Sequence, residues 1–280
     1  MMMTGREKDF GQPLTDEENK ETQLGILKYV DRYCTEHGLR YFLADGTLIG
    51  AIRHRGYIPW DDDIDIRMPR PDYNKLMKSF NADVGDNHFK LIAPTSAEAQ
   101  HYFVKIIDTR TIKIEPYLNY KNGYLGVDID VFPLDGCPEG EHEFLKWANE
   151  IREYNKAFVY KKKQWLRSIL GRGKDITAHR VKAKFVPFMT CNEIVDKVSK
   201  TMMQYPFDRS KYVCGVGVVD RFRIPYDCVK DYIIVPFEDS AFRVPVGYDA
   251  MLTAQYGDYM KLPPVEQRVS HHVNNVYWIK

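Results

Sequence analysis

Nothing in this sequence is built to cross a bilayer as a helix: no apolar run approaches the roughly 18 residues that a span requires. The first twenty residues, MMMTGREKDFGQPLTDEENK, hold no apolar core of the kind a secretory signal carries. Cysteine is scarce and odd in number, with five residues at 34, 137, 191, 214 and 228 and no CxxC pair or His/Cys ligand spacing. This argues against a disulfide framework and a structural zinc site, and for thiols in a reducing compartment. A strong charge imbalance is also missing. At a net charge of +1 the chain is no polycation, and no nucleic-acid partner is expected. A cytoplasmic location follows as the expectation. What is present is ordinary for a globular protein: 280 residues, 44% hydrophobic and 28% charged, enough to bury a sizeable core.

Along the chain, residues 1–14 read as a loose arm. A helix is predicted from Thr15 to about Gly38, with Thr15 as N-cap and Glu18 completing a capping box. RYFLA (40–44) reads as a short strand, DGTLIGAIRHRG (45–56) as a turn followed by a short helix, and DIDIRM (63–68) as a half-buried strand. A helix with Pro71 in its first turn follows. Strand-like runs recur at 101–108, 111–118 and 124–132. Residues 139–205 are mainly helical and basic, and short strands and one last helix close the chain. With no repeat and no low-complexity linker, residues 15–280 are expected to form one domain carrying a helical insertion at about 139–205.

The chemistry concentrates in GYIPWDDDIDIRMPR (56–70), with aspartates at 61, 62, 63 and 65. On a strand, residues i and i+2 share a face. Asp63 and Asp65 therefore point one way, and Ile64 and Ile66 the other. GVDIDVFPLDG repeats the pattern, with Asp128 and Asp130 alternating with Val127, Ile129 and Val131. Two such strands side by side would converge carboxylates on a hard divalent cation, Mg²⁺, Mn²⁺ or Ca²⁺ rather than zinc, and such a cluster suits phosphoryl chemistry. A solvated acidic face paired with Arg53, Arg55 and Arg67 is the plainer alternative. An EF-hand loop starting at Asp61 fails, because Ile66 and Asp72 stand where Gly and Glu are needed. FLADGT invites comparison with haloacid dehalogenase-type phosphatases, but Leu43 occupies the place of their nucleophile. Gly46 and Thr47 can still expose backbone N–H groups to an anion, or serve as an ordinary turn.

The order of strand, Gly-Thr turn, helix, DxD strand and later acidic strand resembles the nucleotidyltransferase fold typified by DNA polymerase β. That resemblance implies an α+β fold: a mixed sheet with flanking helices, here with a helical, basic insertion. ADGTLIGAIRHRGYIPWDDDID, KIIDTRT, DIDVFPLDG and YGDYMKLPP together resemble the LicD family over roughly residues 20–272. The resemblance implies metal-dependent transfer of a phospho-alcohol, phosphocholine first, from a CDP-linked donor such as CDP-choline to a glycan hydroxyl, with release of CMP. In bacterial members the acceptor is a teichoic acid or lipopolysaccharide sugar, and fukutin-type relatives transfer ribitol phosphate. Carried over, Asp63 and Asp65 match the metal-binding pair and Asp130 the third acid, as a metal ligand or general base. Asp61 and Asp62 match the same motif, Gly46, Thr47 and Arg53 the phosphate side, and Lys105 a strand near it.

Three weaker features complete the reading. Eleven Lys or Arg residues between 152 and 184 face only Glu153 and Asp175, which suits either an anionic membrane surface, with peripheral contact at its inner face, or a solvated face. Trp60, beside the acids, could wall a trimethylammonium head. His271 could reach a phosphate. Two other functions stay open: a true nucleotidyltransferase that releases pyrophosphate, and a non-catalytic glycan- or lipid-binding relative.

Overall fold

The computed structural model describes residues 10–85, 87–114, 125–170, 189–215, 222–270 and 275–280, the side chains of 160 and 162–170 excepted. Its first long element is helix α1 (Asp16–Glu36). The expected capping box starts it: Thr15 Oγ1 accepts from the Glu18 amide at 3.1 Å, and the Glu18 carboxylate accepts from the Thr15 amide at 2.7 Å. The residues before it are less loose than expected. Phe10–Pro13 form strand β1, which pairs antiparallel with a strand at the far end of the chain, Asn275–Ile279.

The central sheet is built from β2 (Phe42–Leu43), β3 (Asp65–Pro69), β4 (Phe89–Ile92), β5 (Val104–Asp108) and β7 (Asp128–Cys137), in the order β2-β3-β7-β5-β4. Strand β6 (Thr111–Ile114) leaves this sheet and pairs with the C-terminal strand. Only the β3–β7 pair is parallel. The far half of β7 pairs instead with β8 (Tyr212–Gly215), which carries β9 (Ile224–Pro225). Helix α2 (Asp45–Arg53) links β2 to the segment before β3, and α3 (Arg70–Asp83) follows β3 directly, with Pro71 in its first turn. Strands β10 (Tyr232–Phe237) and β11 (Ser240–Pro245) form a hairpin, α6 (Tyr248–Tyr256) follows, and β12 (Asn275–Ile279) completes the chain.

One face of the sheet makes the main core. Ile64, Ile66 and Met68 lie with Val104, Ile106, Ile129 and Val131 under Leu27 and Val30 of α1 and Leu76 and Phe80 of α3, all fully or nearly fully buried. The expected helical stretch holds α4 (Glu141–Leu170) and α5 (Cys191–Met202), which share a second core around Trp147, Ile151, Phe158, Ile194 and Val198. A second capping box, Thr190 with Glu193, starts α5. Among the described residues no helix is long and apolar enough to cross a membrane.

Two differences from the sequence expectation bear on function. Strand β3 begins at Asp65, not Asp63, because its edge partner β2 supplies only two residues and the ladder ends where Asp130 N–H meets Ile64 O at 2.9 Å. Helix α2 begins at Asp45 itself, at φ 45°, with no intervening turn. The register of β3 against β7 is fixed beyond its far end by a buried fork, in which Arg70 Nε and Nη2 donate to the two Asp135 oxygens at 2.7 and 2.5 Å.

Two measurements test this frame. Asp135→Ala leaves Arg70 charged and buried without its partner, so urea unfolding should show a loss of about 3–5 kcal/mol; a loss below about 1 kcal/mol would remove the fork from its structural role. Thiol labelling should sort the five cysteines. Cys34, Cys137 and Cys214 are buried, and burial pushes the Cys34 and Cys137 thiols up to about 12. Native protein should therefore react at Cys191 first and Cys228 second, the latter raised by burial and by Asp227. The other three should react only after denaturation.

Candidate active site

The pleat that buries the isoleucines turns the charged residues to the opposite face. Asp65 of β3 is in register with Asp130 of β7, which is in register with Lys105 of β5. The three form one row across adjacent strands. Arg67 and Phe132 make the next row on the same face, and Asp128 and Ile107 the row before. The Lys105 ammonium bonds both Asp128 and Asp130, and Lys113 of β6 reaches Asp128 at 2.7 Å.

These partners grade the acids. Burial pushes the Asp128 carboxyl up, but the two ammoniums override it and hold it below the usual range. Asp130 is raised to about 7 by burial, with Lys105 opposing and Asp128 adding repulsion. Asp65 is raised well above its usual value, first by burial and then by Asp63, Asp130 and Asp45, with Arg67 opposing. Asp63 repels Asp65 although it precedes the strand, where the i+2 rule no longer fixes its facing.

Helix α2 places a second network on this face. Arg67 Nη2 donates to both oxygens of Asp45 at 2.8 and 2.9 Å. Gln255 Nε2 donates to Asp45 at 2.7 Å, and the Tyr256 hydroxyl lies 3.4 Å away. Opposite, Lys105 lies over the Phe103 ring, which packs on Phe132 at 4.5 Å, and Tyr102 meets Phe158 of α4 edge-on. The helical insertion therefore borders the acidic row.

The remaining expected residues are distributed unevenly. Thr47 is buried and its Oγ1 accepts from the Asp65 amide at 2.9 Å, so it holds the carboxylate strand. Gly46 lies against Asp61; a Cβ there would sit 2.5 Å from an Asp61 oxygen. The Asp62 carbonyl is held by Gln23 Nε2 at 2.9 Å. Arg53 donates to the Tyr259 carbonyl at 2.5 Å and to His54, binding the C-terminal segment. Trp60 has Arg268 over its ring at 5.5 Å. Together with Tyr57, Asp61, Asp62 and the start of α1 it lines a cavity of about 850 Å³. His271 and residues 171–184 of the basic stretch lie outside the described residues. Asp45, Arg67, Lys113, Gln255 and Tyr256 were not assigned to the site from the sequence. The i+2 rule, continued from Asp65, already pointed to Arg67.

Among the described residues no three Asp, Glu, His or Cys side chains form a group that could hold a metal ion by themselves. Lys105 occupies Asp130, so the row offers a carboxylate pair and not a cage. That set still fits Mg²⁺, which takes oxygen ligands only and is commonly held by one or two carboxylates plus substrate phosphates. Among the described residues no side-chain donor satisfies Asp65, which is repelled by three neighbouring carboxylates.

Comparison with known proteins puts this face inside a matched region. The family model described as LicD/FKTN/FKRP, nucleotidyltransferase domain, matches residues 38–167, which include every acid and lysine of the row. The lipopolysaccharide cholinephosphotransferase LicD of Haemophilus influenzae is 30% identical over 270 residues, 94% of this chain and 98% of that protein. An uncharacterized protein of Rickettsia typhi is 28% identical over 126 residues, 43% of this chain and 37% of its own length. With its acidic strands inside the family model and a relative matched almost from end to end, the chain belongs to the LicD family.

Proposed function

We propose that this chain is a phosphotransferase of nucleotidyltransferase-like fold that moves phosphocholine from CDP-choline to a sugar hydroxyl of a cell-surface glycan, lipopolysaccharide or teichoic acid, and releases CMP. The observation that carries the reading is the in-register row Asp65–Asp130–Lys105, with Asp63 beside it. The name of the Haemophilus relative supports the choice of phosphocholine and of a lipopolysaccharide acceptor.

Asp63 and Asp65 would hold Mg²⁺ or Mn²⁺, which when bound neutralises a diphosphate and eases departure of its nucleotide half. Asp130, one strand away, accepts the proton of the attacking sugar hydroxyl. Lys105 holds that carboxylate in place and sets its orientation. The hydroxyl oxygen bonds to the phosphorus that carries choline, the bond from that phosphorus to the bridging oxygen breaks, and the bridging oxygen leaves on CMP. Thr47 fixes the strand that presents Asp65. Asp128, neutralised by two lysines, keeps Lys105 from pairing with Asp130 alone.

A second reading is favoured by the domain name of the family model: transfer of a nucleotidyl group with release of pyrophosphate. A donor screen with CDP-choline, CDP-ethanolamine, CDP-glycerol, CDP-ribitol and CTP decides between them. CMP release from one CDP-alcohol in the presence of Mg²⁺ is expected, whereas pyrophosphate from CTP would overturn the first reading.

The two acids should separate in assays. Asp65→Asn should abolish Mg²⁺-dependent CDP binding as measured by calorimetry. Asp130→Asn should keep that binding and lower kcat by about 10²–10⁴-fold, the range for a lost general base. Loss of metal-dependent binding in Asp130→Asn would make Asp130 a metal ligand instead.

A further inference from the structure

Arg67 is 3% exposed, yet among the described residues its Nε has no hydrogen-bond partner. A buried donor without an acceptor is unfavourable, and native structures rarely keep one. Arg70, three residues on, shows what a satisfied guanidinium looks like here: it uses Nε and Nη2 together to grip both oxygens of Asp135. Arg67 has a carboxylate beside it as well, but gives Asp45 both bonds from the single atom Nη2. Its Nε side is left unused. Gln255 holds Asp45 from the other direction, so the guanidinium is fixed in that pose.

The residue beside Nε is a glycine. Gly215, the last residue of β8, has no side chain, and a Cβ built on it would lie 3.4 Å from Arg67 Nε and 3.7 Å from Cζ. By strand parity Arg67 stands on the face of Asp65, one pleat farther along β3. Arg67 is thus a rigid, pre-oriented donor beside a carboxylate pair suited to Mg²⁺, in a site that must grip an anion.

We propose that Arg67 is a substrate-binding residue of this site, whose Nε edge takes a phosphoryl oxygen of the nucleotide donor and whose pairing with Asp45 aims it. The proposal rests on the phosphotransferase reading above and adds the residue that recognises the anion. A planar guanidinium held at one end matches phosphate geometry in a way a lysine cannot.

The test uses the full chain, with CDP titrated calorimetrically in the presence of Mg²⁺. Arg67→Lys keeps a charge near Asp45 and loses the Nε donor. Gly215→Ser leaves Arg67 and Asp45 untouched and sets a hydroxyl where the phosphoryl oxygen would bind. Gly215 is not in the left-handed region, so its backbone admits serine. Both variants should bind CDP about 10- to 100-fold more weakly, as loss of a charge-assisted hydrogen bond predicts. The thermal midpoint of Gly215→Ser should stay at or above that of the unaltered chain. If Arg67 only braces Asp45 and α6, Gly215→Ser will bind CDP as the unaltered chain does, and that result overturns the proposal. It also decides the matter should Arg67→Lys fold too poorly to titrate. Failure of the unaltered chain to bind CDP at all would instead overturn the phosphotransferase reading, and this proposal with it.

Discussion

The site depends on one register. Strands β3 and β7 run parallel with Asp65 opposite Asp130, so two carboxylates that repel each other are adjacent by construction. The apolar face supplies the driving force: Ile64, Ile66, Met68, Ile129 and Val131 are buried together against α1 and α3. A slip of one residue would turn every one of them to the polar face and bury the aspartates in their place. The Arg70–Asp135 fork closes the ladder at its far end, where the sheet has no such charge conflict. Hydrophobic burial thus holds in place an electrostatic arrangement that would not assemble unaided.

Compensation of that charge is graded across the sheet. Among the described residues Asp128 has two lysines, Asp130 shares one, and Asp65 is opposed by Arg67, itself engaged with Asp45. Asp65 is therefore the least compensated acid of the row. A cation with phosphates would gain most there. On the proposed mechanism the lysine side instead supplies the proton acceptor, Asp130, held by Lys105. The acids of one row are set apart by the number of ammonium groups each one sees.

Much of this was legible in the sequence. The period-two alternation gave the shared face of Asp65, Asp128 and Asp130, and Thr15 with Glu18 marked the start of α1. Other parts were not, for physical reasons. Strand length depends on partners, and nothing local to Asp63 reveals that β2 has only two residues to pair. Thr47 follows a glycine and looks like a turn residue, but its hydroxyl is taken by an amide eighteen positions away. Phe10–Pro13 carry little strand signal and are ordered by β12, more than 260 residues distant. Lys113 and Asp45 gain their roles through strands and helices that meet only in the folded chain.

Gln255 and the YGDYMKLPP that follows it reach the candidate site by contacts that sequence spacing hides. Helix α2 begins with a charge, Asp45, and ends with one, Arg53. Gln255 and Tyr256 hold the first, and the carbonyls of Tyr259 and Lys261 hold the second. The helix is clamped at both ends by one segment, and from its first turn Thr47 bonds the Asp65 amide while Asp45 aims Arg67. Movement of the C-terminal segment would therefore be felt at the carboxylate and the guanidinium together, through a helix too short to bend between them. A residue more than 190 positions from Asp65 in sequence is in this way two contacts from it in space.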